Sequence, residues 1–541
     1  MTNKHLTPEQ KSNIYKIDHP NWSGQQATNI GEKEPTIFRS KDGLLITRRI
    51  GDLSDESNTE YYFPATNVVR ALSKAELSWI NEGAAQGFEI PDSLKSELIP
   101  GNGWKFPDIP ESPDTSRIRT RTLVLNPTEQ CNIRCTYCYY GGAYNNTRSH
   151  RTLAPSDDSL AKAIKSFITG EQRLLEDQQA IYFFGGEPLM GFKKIQTVMD
   201  LVDARKRELG IETPKLIFQV NTNGLLLTQK IVDYLAEKDI YLNISIDGPN
   251  HDLYRVDRRG HGTHDAVRAK VEWLAENWPE YFSKRVAIIS VLSTPMDTAS
   301  MYRYFTSWPV ALKALAWDFD LVLPGGNSSY SEYEEVFREQ SKIWDLFVNM
   351  HSLPAESREK SSRYRFAFSH GFLHRSFHRV LHQAPSKAPG VLSDLLGIQL
   401  LPGSELVLLG ADEKYYSSYE HQSDEFIVGD AESGINYAKG IEQVRTFAEG
   451  IKSSSCSTCW AAPLCSVALA EASFSADDDI ATVEEKAIGK VSRCRVEREI
   501  CYQALRSNRR IATEFGEEKL EEHHQEWKKQ LERGPHGTAF N

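Results

Sequence analysis

The chain has 541 residues, 40% of them apolar, with a mean hydropathy of −0.48, and its length allows for about three or four domains. A net charge of −11 and an isoelectric point near 5.8 argue against a general nucleic-acid binder, and no run approaches the roughly 20 apolar residues of a membrane span. The opening Met1-Thr-Asn-Lys-His-Leu-Thr-Pro-Glu-Gln has no apolar stretch of an export signal, so a reducing cytoplasm is the expected setting for the eight cysteines.

Residues 1–115 read as a small α+β domain. It has β-like runs at Pro35–Phe38 and Leu44–Ile50 and a helix candidate at Ala65–Ala84, with apolar fragments Glu89-Ile-Pro and Glu97-Leu-Ile beyond. From 116 to 330 the pattern becomes strand and helix in alternation. Strand candidates are Thr122–Asn126, Ala180–Phe184, Leu216–Val220, Leu242–Ile246, Val286–Leu292 and Leu315–Leu323. Between them, Ser159–Ile168, Ile195–Leu209, Gln229–Glu237 and Ala266–Asn277 carry apolar residues at helical spacing. Six such units imply a parallel sheet with right-handed crossovers, hence an α/β fold built as an open, partial (β/α)6 TIM-like barrel. Active sites of such sheets lie at the C-terminal strand edge.

Two motifs fall at that edge. Just after the first strand come Cys131, Cys135 and Cys138, spaced C-x3-C-x2-C with Tyr137 before the last. Three thiolates leave one iron of a four-iron cluster open to bind a ligand, unlike a four-thiolate cluster that mainly carries electrons. Taken alone, the trio could also be most of a zinc site or a piece of a disulfide framework. The second strand runs into Gly185-Gly186-Glu187-Pro188, where glycines permit close backbone approach and a carboxylate suits an ammonium. By itself this tetrapeptide is an ordinary strand-ending turn.

Together, one βα unit apart, the two motifs resemble the radical S-adenosylmethionine (SAM) superfamily. The resemblance implies that Cys131, Cys135 and Cys138 hold a [4Fe–4S] cluster with an open iron. It also implies that Gly185, Gly186, Glu187 and Pro188 recognise the amino group of SAM. Two further strand ends, Asn221-Thr-Asn223-Gly224 and Ser245-Ile-Asp247-Gly248-Pro249 followed by Arg255, look like segments that contact the SAM ribose and carboxylate in radical SAM peptide-modifying enzymes. Asn223, Ser245 and Arg255 are the candidates there, although Asn-Gly and Asp-Gly-Pro are also plain turn chemistry.

After a helical linker over 331–395, residues 396–510 carry the other five cysteines. Cys456, Cys459 and Cys465 form C-x2-C-x5-C, which resembles the distal half of the SPASM extension of radical SAM maturases. By position Cys494 supplies the fourth ligand of an auxiliary [4Fe–4S] cluster, with structural zinc as the alternative. Cys501, between Ile500 and Tyr502, reads as a buried spare thiol and as the substitute ligand if Cys494 is not one. The hairpin Glu405–Tyr419 has Ser418 where the family expects a cysteine, Leu401-Pro-Gly-Ser404 lacks one, and Leu469 replaces another. All of these losses fall on the second, proximal cluster, so a degenerate SPASM domain with one auxiliary cluster is expected. Tyr419 stands where sulfatase-maturating relatives carry an aspartate base.

The resemblance implies an enzyme that modifies a peptide or protein. A 5′-deoxyadenosyl radical would abstract a hydrogen, and the auxiliary cluster would accept an electron as a thioether or carbon–carbon crosslink closes. The alternatives are an anaerobic sulfatase-maturating enzyme and a small-molecule radical SAM enzyme. A flavodoxin- or ferredoxin-type donor is implied as partner, with no nucleic acid and no membrane. The N-terminal strands and helix loosely resemble the winged-helix module that binds leader peptides in ribosomal-peptide maturases; a structural cap is the other reading. Residues 511–541 read as a charged tail in which Glu517–His524 is a solvated helix.

Overall fold

The computed structural model describes residues 36–39, 43–50, 60–82, 90–100, 120–138, 140–141, 150–169, 179–210, 216–293, 297–321, 333–370, 406–417, 424–453, 459–465 and 493–523, with isolated positions between them such as Trp104, Leu373, Phe377 and Tyr419. Its centre is a mixed sheet with six parallel strands. These are β1 (Thr122–Leu125), β2 (Gln179–Phe183), β3 (Leu216–Thr222), β4 (Tyr241–Ser245), β5 (Val286–Leu292) and β6 (Ala316–Leu321). They lie side by side in chain order, each parallel to the next. The expected strand ends hold to within two residues, apart from the end of the last strand, where Val322 and Leu323 lie outside the described residues. The reason is burial on both faces: every residue of β1 and β2 is buried, and such strands read as continuous apolar runs.

Helices link successive strands, and local chemistry sets their limits. Asp157–Phe167 starts where the Ser156 hydroxyl accepts from the Ser159 amide, and it buries Leu160, Ala163, Ile164 and Phe167. Phe192–Leu209 stops at Gly210, which adopts φ 63° as a left-handed cap does. Gln229–Glu237 is capped by Thr228.

The sheet does not end at β1. Leu406–Leu409 pairs parallel to it and antiparallel to Lys414–Tyr416, so the expected hairpin extends the core sheet, and Ile427–Asp430 and Gly434–Ile435 continue it. On the far side, Tyr333–Met350 and Ser362–Phe368 form a packed layer instead of a mere linker. Ile343, Trp344, Phe347, Tyr364 and Phe366 share one apolar core with the strands, and the Phe319 amide of β6 donates to the Ser369 carbonyl at 2.7 Å.

Two expectations need correction. The helix candidate Ala65–Ala84 is a strand and then a helix: Glu60–Phe63 and Val68–Ala71 pair antiparallel, and the helix Lys74–Glu82 starts nine residues late, with Gly83 and Ala84 outside the described residues. Asn67 turns the hairpin at φ 57°, Val68-Val69 favour the strand, and Ser73 with Glu76 forms a capping box at 2.8 and 3.2 Å that starts the helix late. In the tail, the helix Arg493–Phe515 crosses the expected 510/511 boundary unbroken. His523 is fully buried against Phe347 and Phe377, so this segment is solvated on one face only; His524 lies outside the described residues.

The N-terminal sheet is seated on the C-terminal cysteine segment. Ile46, Ile50, Tyr62 and Trp104 share an apolar cluster with Trp460, Leu464, Cys501 and Leu505. The Arg509 guanidinium makes a two-pronged ion pair with Glu60 at 2.9 and 3.0 Å.

Candidate functional site

Four segments converge at the C-terminal edge of β1–β5. Past β1, the buried Asn126 folds the chain back: its Oδ1 accepts from the Thr128 amide at 3.1 Å and its Nδ2 donates to the Tyr140 hydroxyl at 3.3 Å. Next to it, Gly185 and Gly186 leave β2. The Gly186 amide donates to the Thr128 carbonyl at 3.0 Å, and the Glu187 amide to the Gln130 carbonyl at 2.7 Å. Gly185 has φ 148°, and a Cβ on it would stand 2.5 Å from Cγ of Asn126. Gly185 is therefore required by its positive φ and the buried Asn126 side chain against it, and Gly186 by the Glu129 and Gln130 carbonyls behind it. Glu129 braces the loop from behind, fully buried and held by Arg151 through two contacts of 2.6 Å.

Glu187 joins β2 to β3. Its Oε1 accepts from the Leu189 amide at 3.0 Å and the Thr222 hydroxyl at 2.7 Å, and its Oε2 from the Asn223 amide at 2.8 Å. Burial pushes its pKa up, and these donors pull the other way. The expected ammonium-binding carboxylate is thus engaged with the fold itself. Asn223 faces the cysteine loop, its Nδ2 donating to Asn132 Oδ1 at 2.7 Å and approaching Cys131 Sγ at 3.8 Å. Ser245 is buried at the end of β4.

The three cysteines sit on a loop shaped by a short strand, Ile133–Cys135, paired antiparallel with Arg255–Asp257 so that Cys135 faces Arg255. The Cys138 amide then donates to the Cys135 carbonyl at 3.1 Å. Each sulfur has a donor: Asn223 Nδ2 at 3.8 Å for Cys131, Arg255 Nη1 at 3.8 Å for Cys135, and the Tyr140 amide at 3.3 Å for Cys138. Burial raises all three thiols, Cys131 to about 11, and nearby Cys138 adds to the upward shift of the other two. Buried thiolates need a cation, and N–H donors on every sulfur suit thiolates that ligate iron. The donor set therefore fits an iron–sulfur cluster. Among the described residues, however, no three His, Cys, Asp or Glu side chains stand in metal-holding geometry.

Arg255, a candidate for SAM contact, is buried beside the cysteine loop. Its Nε donates to Asp247 Oδ2 at 2.9 Å, and its guanidinium lies 5.5 Å from the Tyr137 ring centre. Asp247 also accepts from the Tyr137 hydroxyl and, through Oδ1, from the Val291 amide of β5 at 3.0 Å. Sequence reasoning passed over Asp247 and Tyr137 as site members. Asp247 hides in an Asp-Gly-Pro turn, whereas Tyr137 was visible as the aromatic inside the cysteine motif.

Of the C-terminal candidates, Cys459 and Cys465 are half-buried beneath the N-terminal sheet, and Trp104 Nε1 donates to the Cys459 carbonyl at 3.0 Å. Cys501 is buried in the same cluster, its thiol directed at the Leu464 carbonyl at 3.6 Å. Cys456 lies outside the described residues. Cys494 is in the first turn of the helix Arg493–Phe515, but its side chain is also outside them. Ser404, Ser418 and Leu469 are not described either. Tyr419 is described, and its ring packs edge-on against Phe184 at 5.4 Å, one residue before Gly185.

Residues 125–293 match the family described as the Radical SAM superfamily. A cysteine-type anaerobic sulfatase-maturating enzyme from Clostridium perfringens (strain 13 / Type A) is 26% identical over 189 residues, 34% of this chain and 48% of that protein. The radical SAM cyclopropyl synthase TigE of Paramaledivibacter caminithermalis is 27% identical over 183 residues, 32% of this chain and 35% of its own. The chain thus spans less than half the length of these curated relatives. Among solved structures, native anSMEcpe with bound AdoMet and Kp18Cys peptide superposes with a TM-score of 0.52 at 18% identity, covering 72% of this chain and 98% of that one; this likeness shows the fold. No helix among the described residues is long and apolar enough to cross a membrane.

Proposed function

With residues 125–293 belonging to the radical SAM superfamily, we propose that this chain is a radical SAM enzyme that modifies a side chain or backbone position of a peptide or protein. One observation carries the reading. The Thr128–Gln130 lead-in to the Cys131–Cys138 loop and the Gly185–Pro188 turn are fastened to one another by backbone hydrogen bonds, and Asn223 joins both through its amide to Glu187 and its side chain to Cys131, at a single sheet edge. Cys131, Cys135 and Cys138 are the proposed cluster ligands, and Gly185, Gly186, Glu187 and Pro188 with Asn223 and Ser245 the SAM-binding edge. A cluster and SAM held there would supply, on one-electron reduction by an external donor, a 5′-deoxyadenosyl radical able to take a hydrogen atom from a substrate. The chain's own part is to hold both in one orientation and keep water away from the radical.

Six parallel strands in chain order support an open partial barrel, with its mouth at this edge. The domain layout proposed is an N-terminal α+β unit to about residue 115, the core to 330, a helical layer to 395 and a SPASM-like unit beyond. Cys456, Cys459, Cys465 and Cys494 are proposed to hold one auxiliary cluster. The N-terminal sheet packs over this segment, which favours the structural-cap reading of that sheet. The peptide substrate rests on the relatives, among them a sulfatase maturase and a cyclopropyl synthase.

The second reading, sulfatase maturation, is favoured by the C. perfringens relative and disfavoured by Tyr419 in the place of the base. Two experiments test these assignments. A Cys131/Cys135/Cys138 triple alanine variant, reconstituted anaerobically, should retain about four irons, the content of one cubane; no iron would remove the auxiliary cluster. A cysteine-bearing sulfatase peptide should remain unmodified by the wild-type protein, and its conversion to formylglycine would establish the second reading.

A further inference from the structure

The donors that reach the three sulfurs are not equivalent. Cys131 meets a neutral side-chain amide and Cys138 a backbone amide, but Cys135 meets a guanidinium. That guanidinium is anchored. The Arg255 and Asp247 side chains are 9% and 1% exposed and paired at 2.9 Å, and the Tyr137 ring lies under the cation. Asp247 is fixed in turn by the Tyr137 hydroxyl and the Val291 amide. The Asp247 amide donates to His251 Nδ1 at 3.2 Å, His251 Nε2 meets the Thr263 hydroxyl at 2.9 Å, and that hydroxyl donates to the Arg255 carbonyl at 2.8 Å. Main chain and side chain of Arg255 are therefore both tied to the ends of β4 and β5.

We propose that Arg255 is a positioning residue for the Cys135 thiolate that raises the reduction potential of the cluster, and that Asp247 limits the rise by partly neutralising it. The inference rests on the cluster reading above. A cation and an N–H donor at a cluster sulfur favour the more negative, reduced form, whereas a nearby carboxylate disfavours it. Arg255 and Asp247 thus act with opposite sign on one sulfur. A merely structural pair would instead weaken the site in the same way whichever partner is lost, because each leaves the other buried and unpaired.

The test is a redox titration, followed by electron paramagnetic resonance, of the anaerobically reconstituted full-length protein, with iron counted in parallel. The background is the Cys456/Cys459/Cys465 triple alanine variant, so that the signal comes from the SAM-site cluster. Arg255→Gln should shift the midpoint negative, by a tenfold change in the reduction equilibrium or more, about 59 mV for one electron. Asp247→Asn should shift it positive. Shifts of the same sign, or none in variants that keep their iron, overturn the inference. If Arg255→Gln cannot hold iron, Asp247→Asn still decides by its sign: positive supports, zero or negative refutes. Failure of the unsubstituted Cys131–Cys138 site to take up iron would instead defeat the functional reading itself.

Discussion

Replacing Gly186 by alanine puts a methyl group 2.5 Å from the Glu129 carbonyl oxygen and closer still to that of Gln130. Both are backbone atoms, so no side chain can swing aside. The Gln130 carbonyl is also tied to the Glu187 amide at 2.7 Å, and the Gly186 amide to Thr128 at 3.0 Å. Relief therefore means prising the Gly185–Pro188 turn off the cysteine loop. Overpacking of this kind costs about 1–3 kcal/mol, and the two released hydrogen bonds add about 1 kcal/mol each, for a total of roughly 3–5 kcal/mol. Gly210→Ala is the control. Nothing lies within 4 Å of its Cβ position, and the only cost is a left-handed conformation, about 1–2 kcal/mol. Urea unfolding of the apoprotein measures the stability, and iron content after reconstitution measures the site. Gly186→Ala should lose both; Gly210→Ala should lose a little stability and no iron. A Gly186→Ala protein within about 1 kcal/mol of wild type and fully loaded with iron would refute the claim that the two segments are fastened together.

Other expectations concern the frame around the site. Burial lowers His351 and His370 from 6.5 to about 4. The unfolded chain therefore binds more protons than the native one between those values, and stability falls as pH drops from about 6.5 towards 4. At pH 5 each histidine accounts for about 2 kcal/mol of that loss; urea midpoints equal at pH 7 and pH 5 would contradict it. The Arg509–Glu60 ion pair is 32% and 24% exposed, so Arg509→Ala should cost no more than about 1 kcal/mol. A loss above about 3 kcal/mol would mean that the N-terminal sheet depends on this pair and not on its apolar contacts. Trp104→Phe removes one hydrogen bond to the Cys459 carbonyl and should cost about 1 kcal/mol by thermal or urea unfolding. No measurable change would show that this bond contributes nothing to the docking of the sheet.

Much of the core was legible in the sequence because its signal is local. Val286–Leu292 is apolar at every position but Ser290, and the structure places a strand over the same seven residues. The two motifs were legible for the same reason, since three cysteines and Gly-Gly-Glu-Pro are each written within eight residues. What could not be read is what joins segments far apart in the chain. Glu187 reaches Asn223, 36 positions on, and Tyr137 reaches Asp247, 110 positions on, and no periodicity announces either. The sequence pattern alone extends the N-terminal helix too far, because Val68-Val69-Arg70-Ala71 fits a helical apolar pattern as well as a short strand. Only the turn at Asn67 and the cap at Ser73 separate the two. His523 went astray for the converse reason: a charged stretch hides the single face that packs on Phe347 and Phe377.

The central claim is that the Cys131–Cys138 loop and the Gly185–Pro188 turn form a working SAM-cleaving site. The direct test is 5′-deoxyadenosine formation by the reconstituted, dithionite-reduced protein given SAM, beside its Cys135→Ala variant. The account predicts 5′-deoxyadenosine from the wild type and none from the variant. No 5′-deoxyadenosine from an iron-loaded wild type, or equal amounts from both proteins, would contradict it.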